Sequence, residues 1–184
     1  LYRSPGKTTG FDIWAVAMSG ANASQEGRSH QVTDGERKPV PVVQTNFDER
    51  DGQFSPDGKW IAYQSNESGR YEVFIQAYPK SGGKWQVSTA GGSVAHWRGD
   101  GKEIIYQGPD DTFYAVTIKP AGAGFEIGVP VKLFQRRMAH GNYERNSWTV
   151  TRDGQRFLLI VPLDEANTRS IQVVQNWASS LKKP

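Results

Sequence analysis

The chain has 184 residues, no cysteine, 36% apolar and 11% aromatic residues, and 22 basic side chains against 19 acidic ones for a formal charge of +3. That length bounds one domain with a real core, and the missing cysteine excludes disulfide and thiolate chemistry. The basic residues are interspersed rather than massed into the stripe that a nucleic acid requires, and no apolar stretch is long enough for membrane insertion as a helix.

Leu1-Tyr2-Arg3 opens into polar sequence with neither a signal peptide nor an initiating Met, which reads as a piece of something longer or a processed product. Phe11 to Met18 reads as the third strand of a β unit and Pro39 to Gln44 as its fourth, with the first two strands missing apart from Leu1-Tyr2. Between them, Ser19 to Lys38 is small, polar and mixed in charge, and reads as a long connection or a disordered insertion. A polar loop, Asn46 to Asp51, leads to the turn Phe54-Ser55-Pro56-Asp57-Gly58-Lys59-Trp60 and the apolar run Trp60 to Tyr63. After Asn66-Glu67-Ser68-Gly69-Arg70 come the strands Tyr71 to Tyr78 and Trp85 to Ser88.

The turn then recurs. Trp97-Arg98-Gly99-Asp100-Gly101-Lys102-Glu103 precedes Ile104 to Tyr106, Thr112 to Ile118 and Val131 to Phe134. Val150-Thr151-Arg152-Asp153-Gly154-Gln155-Arg156 follows the polar loop Arg136 to Asn146 and precedes Phe157 to Ile160 and Ser170 to Val174. Only the tail, Trp177 to Lys182, has the pattern of a turn or two of helix.

Pro56 presets φ, Asp57 tolerates the next position, and Gly58 takes the left-handed conformation, so the motif predicts a tight β-hairpin. From Asp57 to Asp100 the step is 43 residues and from Asp100 to Asp153 it is 53. Repeats of roughly 40–50 residues built from four strands are propeller blades. The expected fold is therefore all-β, a β-propeller of four-stranded antiparallel blades: a partial blade at 1–48 with the polar insertion at 19–38, blades at 49–93 and 94–135, and a three-stranded last blade with its tail at 136–184. That is about three and a half blades, fewer than the usual four to eight of a closed ring. Either the parent protein supplies the other blades, or the unpaired edges at both ends drive self-association, with two chains supplying about seven blades.

Phe54 to Tyr63 with Asn66-Glu67-Ser68-Gly69 and Tyr71 to Ile75 resembles the first three strands of the TolB-like β-propeller repeat. Gly83-Lys84-Trp85-Gln86-Val87-Ser88, Gly91-Gly92 and then Trp97 resembles that family's passage from one blade to the next, and the match extends over residues 40–176. The resemblance implies the C-terminal blades of multi-blade arrays found in bacterial periplasmic proteins and fused to bacterial signalling kinases. It implies a binding role and no fixed set of catalytic residues. Arg98-Gly99 and Thr151-Arg152 stand where the family has Ser-Pro, which predicts less rigid second and third turns.

Asp57, Asp100 and Asp153 repeat, but as turn residues they read as caps on local N–H groups rather than paired acids. His30, His96 and His140 have no ligand-spaced partners, so no metal site is expected. His96, on an innermost strand, is expected to face the channel or a blade interface. There is no Gly-x-Ser-x-Gly elbow and no phosphate loop, so neither catalysis nor a cofactor is expected.

The expected binding residues lie on the face where the loops leading into each blade meet the second-to-third-strand loops. They are Asp48, Glu49, Arg50, Glu67, Arg70, His140, Tyr143, Glu144 and Arg145, with Trp148 as a stacking platform. Their mix of Arg, Glu, Tyr and Asn suits protein, peptide or glycan recognition. Two alternatives stand beside a binding scaffold: the accessory propeller of a prolyl-oligopeptidase-like hydrolase, and the sensor domain of a kinase.

Overall fold

The three Asp-Gly turns form with one hydrogen-bond pattern. In a computed structural model of the chain, which describes residues 1–6, 10–16, 38–80, 82–122, 124–139, 147–162 and, by backbone alone, 173–175, Gly58 N–H donates to Ser55 O at 2.9 Å, Gly101 to Arg98 O at 2.9 Å and Gly154 to Thr151 O at 2.8 Å. Asp57 Oδ1, Asp100 Oδ1 and Asp153 Oδ1 each accept the backbone N–H two residues on, at 3.1, 3.0 and 3.0 Å. The glycines sit at φ of 71°, 70° and 75°. The looseness expected of the second and third turns is not found. Thr151 Oγ1 donates to Asp153 and accepts from Arg156 N–H, as Ser55 Oγ does with Asp57 and Trp60. Arg98 instead clamps its turn by pairing with Asp100 and Glu103.

Gly58→Val is expected to cost roughly 1–3 kcal/mol through backbone strain at a φ that β-branched residues avoid. Nothing lies within 4 Å of an added Cβ there, so crowding adds nothing. The midpoint of urea unfolding checks this, and an unchanged midpoint would contradict the turn geometry.

Among the described residues, four antiparallel sheets follow one another in chain order. The first is β1 (Tyr2–Pro5), β2 (Phe11–Ala15) and β3 (Val40–Val43), in that order. It holds three strands where the sequence reading had two, because Tyr2 to Pro5 pairs along the length of β2. The second sheet is β4 (Glu49–Phe54), β5 (Trp60–Ser65), β6 (Glu72–Ala77) and β7 (Lys84–Gln86). The third is β8 (Ser93–Trp97), β9 (Glu103–Gln107) and β10 (Thr112–Ala121), with β11 (Gly124–Ile127) and β12 (Val131–Gln135) both paired to β10. The fourth is β13 (Trp148–Val150), β14 (Arg156–Leu159) and β15 (Val173–Gln175). Among the described residues the one helical element is the 3-10 turn Pro109–Asp111.

The apolar runs after the first two turns are buried on both sides, as strands covered on two faces must be, whereas after the third Phe157 and Leu159 are buried and Leu158 and Ile160 exposed. Ile61, Tyr63 and Phe74 join Ile13, Ala15, Val42 and Val43 in a core between the first two sheets. Ala62, Val73 and Ile75 meet Ile104, Tyr106, Val116 and Ile118 between the second and third. Ile105, Phe113 and Ala115 meet Trp148, Phe157 and Leu159 between the third and fourth. Each core joins consecutive sheets, and β4, the first strand of its sheet, touches β2 behind it and β8 ahead. This is the face-to-face succession of propeller blades, and among the described residues no core joins the first sheet to the last.

The repeated turns also touch one another. Gly99 N–H donates to Arg152 O at 2.7 Å, and a Cβ on Gly99 would lie 2.2 Å from Arg152 Cγ and 2.8 Å from its carbonyl oxygen. The departure from Ser-Pro at this turn is thus a close approach between blades. β11 was not anticipated. β10 runs past Ile118 to Ala121 and turns back, which seats Phe125 4.4 Å from Trp60 and 5.7 Å from Trp85. That aromatic contact comes from the neighbouring blade, so nothing local announces it.

Candidate functional site

The loop leading into β4 and the β5–β6 turn do share a face. Asp48 N–H donates to Asn66 Oδ1 at 2.9 Å. From there the Asp48 carboxylate gathers three elements. It accepts Phe11 N–H at 3.0 Å, Tyr71 OH at 2.6 Å, and Arg50 through Nε at 3.0 Å and Nη2 at 2.5 Å. The Arg50 guanidinium lies 5.1 Å from the Phe11 ring centre and 5.3 Å from that of Tyr71, and the Arg3 guanidinium lies 4.6 Å from the Phe11 ring centre. Cation–π attraction adds to the ion pair in holding Arg50 still. Burial pushes the Asp48 carboxyl up, but Arg50, Tyr71 and the Phe11 N–H outweigh it and bring the pKa down to about 2.

Glu49 sits under this rim, not on it. It is 0% exposed. Its Oε1 accepts from Thr45 Oγ1 at 2.5 Å and Ser65 Oγ at 3.4 Å. Burial, with Asp12 adding to it, raises its pKa despite those bonds. Adjacent side chains of a strand point oppositely, so Asp48 and Glu49 could not both face the rim.

Arg70 and Glu67 lie on the same face. Arg70 is 61% exposed, yet its Nε donates to Glu72 Oε1 at 2.8 Å and its Nη2 to Thr89 O at 2.6 Å. Glu67 pairs at 2.5 Å with Lys84, whose ammonium lies 5.1 Å from the Phe74 ring centre. Beneath Arg70, the buried Glu72 also accepts Gly91 N–H at 2.9 Å and the Ser88 hydroxyl. Asp111 does the same one blade on, accepting Met138 N–H at 2.9 Å, and Asp12 one blade back, accepting Gln44 Nε2 at 3.1 Å. An acid at the start of the third strand, or just before it in the case of Asp111, therefore tethers the chain as it leaves for the next blade. Aligning Phe11-Asp12-Ile13 with Tyr71-Glu72-Val73 would have exposed this in the sequence.

On the inner side, Gln53 in β4 lies 3.1 Å from His96 Nδ1 in β8, and the His96 ring lies 4.4 Å from Trp148 in β13. His96 thus bridges the first strands of three sheets, at the blade interface. Burial lowers its pKa to about 4, with the Trp148 backbone opposing. Trp148 is not a surface platform. It is 3% exposed and packs edge-on against Phe113 at 4.9 Å and stacked on Phe157 at 6.0 Å. Phe113 and Phe157 supply an apolar pocket that the polar loop before Trp148 does not advertise.

Of the expected site, then, Asp48 and Arg50 are brought together, Glu67 and Arg70 lie on the same face in separate ion pairs, and Glu49 and Trp148 are withdrawn. His140, Tyr143, Glu144 and Arg145 lie outside the described residues; their flanks, Ala139 and Ser147, both bond to Ile160 just beyond β14. Sequence reasoning missed Phe11 and Tyr71. Among the described residues, no three His, Cys, Asp or Glu side chains group in a way that could hold a metal ion, and no helix is long and apolar enough to cross a membrane.

No protein-family profile matches the sequence, and no curated protein does. Among solved structures, a candidate 6-phosphogluconolactonase from Bacteroides uniformis is 20% identical with a TM-score of 0.48, over 78% of this chain and 42% of its own. TolB from Acinetobacter baumannii is 15% identical with a TM-score of 0.37, over 78% of this chain and 45% of its own. The chain spans less than half the length of either structure it is similar to.

Proposed function

We propose that this chain is a non-catalytic propeller segment whose loop face binds a protein or peptide, as part of a larger bacterial protein of the periplasm or cell exterior. The observation that carries the reading is Arg50, clamped by Asp48 between the Phe11 and Tyr71 rings. Arginine and tyrosine are the anchors of protein recognition. A guanidinium already immobilised loses less conformational entropy when a partner arrives. Arg70, exposed and held by Glu72, extends the same face. Burial of Trp148 removes the stacking platform that a glycan ligand would have used.

Random peptides displayed on phage and selected on the folded chain test this. Selected peptides should lose about tenfold or more in affinity, about 1.4 kcal/mol, on Arg70→Ala and on Tyr143→Ala. Arg50→Ala should weaken them as well, with thermal melts run alongside to confirm folding. Peptides indifferent to all three substitutions, or no selected peptide at all, would overturn the reading.

A further inference from the structure

The loop face carries both acids and arginines, and the fold treats them differently. The acids turn inward. The Asp48 side chain is 15% exposed and accepts from Phe11 N–H, Tyr71 and Arg50. That of Glu67 is 18% exposed and taken by Lys84. Glu72 lies beneath Arg70, holding the Gly91 N–H and the Ser88 hydroxyl. Asp111 accepts Gln107 Nε2 at 2.8 Å through Oδ1 and the Met138 N–H through Oδ2. A carboxylate withdrawn from water needs donors, and the chain crossing between blades supplies them.

The arginines turn outward. One edge of the Arg70 guanidinium rests on Glu72 and the Thr89 carbonyl, and the rest meets water. Arg136 and Arg137 are exposed, and neither side chain has an ion-pair or hydrogen-bond partner among the described residues. These three arginines share one rim. Arg70 reaches Thr89; two residues on, a Cβ on Gly91 would lie 2.9 Å from Pro109 Cγ; and Asp111 O, in the same 3-10 turn, accepts Arg136 N–H at 3.1 Å. Among the described acids of this rim, Asp110 is the exposed one. Phe47, 43% exposed, adds an apolar spot beside Asp48, whose N–H bonds to the turn that bears Arg70.

The outer surface of this face is therefore rich in hydrogen-bond donors and poor in acceptors. Guanidinium groups match carboxylates through paired, charge-assisted bonds. We infer that the segment docking here is an acidic peptide, a stretch of Asp and Glu with an apolar side chain for Phe47. The inference rests on the peptide-binding role proposed for this face and gives the partner its chemistry. Charge complementarity of this kind selects among partners more than it adds raw affinity.

The test sequences the peptides that phage selection on the wild-type chain returns and measures their binding to two charge-reversed variants. Selected peptides should be enriched in Asp and Glu over the unselected library. Their affinity should fall about tenfold or more in Arg136→Glu/Arg137→Glu, where two attractions become repulsions. Lys80→Glu/Lys132→Glu makes the same change in net charge at exposed residues away from this rim, and should leave affinity within about twofold, the size expected of distant surface charges. Both variants should keep the wild-type circular dichroism, since all four side chains are exposed; Arg136→Gln/Arg137→Gln, with a smaller loss in the same direction, serves if the first does not fold. Neutral or basic peptides that still weaken on Arg70→Ala would overturn this inference and leave the peptide-binding reading standing. Acidic peptides weakened equally by the lysine pair would overturn it as an effect of bulk charge, and the absence of any selected peptide would overturn both.

Discussion

Glu72→Ala is expected to destabilise the fold by about 2–4 kcal/mol, the largest effect of any single substitution on the loop face. The carboxylate is 1% exposed and holds Arg70, the Gly91 N–H and the Ser88 hydroxyl together. Its loss leaves a half-buried N–H and a buried hydroxyl without their acceptor, at about 1–3 kcal/mol for a fully buried unsatisfied group and less for a half-buried one. Arg70 contributes little to the loss, because its head is mostly in water and rehydrates. Glu72→Gln keeps one acceptor oxygen and should cost less than Glu72→Ala. Urea unfolding of both variants measures the difference. A loss below about 1 kcal/mol in Glu72→Ala, the ordinary size of a net hydrogen bond, would mean that the acid does not hold the blade junction.

The second large effect is with pH. His96 is held neutral, its pKa lowered to about 4 by burial between Gln53 and Trp148. With Nδ1 accepting from Gln53, the ring proton sits on Nε2. Because the unfolded chain takes up the proton first, the stability that His96 contributes is complete above its unfolded pKa of about 6.5 and is lost as pH falls from there toward about 4. The full loss is about 3 kcal/mol at 1.36 kcal/mol per pH unit. Glu49 acts in the opposite sense: its raised pKa favours the protonated form, so acid relieves the cost of its burial. Asp48 adds a further loss only below the unfolded carboxylate range, as pH approaches about 2. His96→Gln isolates the histidine, since glutamine bonds Gln53 but does not titrate. Melting temperatures from pH 7 to 4 should fall more steeply in the wild type than in the variant, and parallel curves would contradict the assignment.

How far the molecule could be read in advance follows the range of the forces involved. Each Asp-Gly turn closes within six residues through its own side chains, so the motif, its glycine conformation and the strands on either side were legible from residue order. Repetition of that local unit then implied stacked four-stranded blades. Side-chain fates were not legible where they depend on a neighbouring sheet. Asp48 and Glu49 are adjacent and equally acidic, yet Asp48 meets Phe11 and Tyr71, 37 and 23 residues away, while Glu49 is enclosed beneath them. Trp148 has the sequence context of a surface ring, and only the third sheet's Phe113 and the fourth's Phe157 bury it. β11 exists because Phe125 finds Trp60 and Trp85 in another blade. Local turn chemistry thus specified the blades, and contacts between blades decided which acids, rings and arginines reach the surface, because burial belongs to the assembled sheets and not to any one strand.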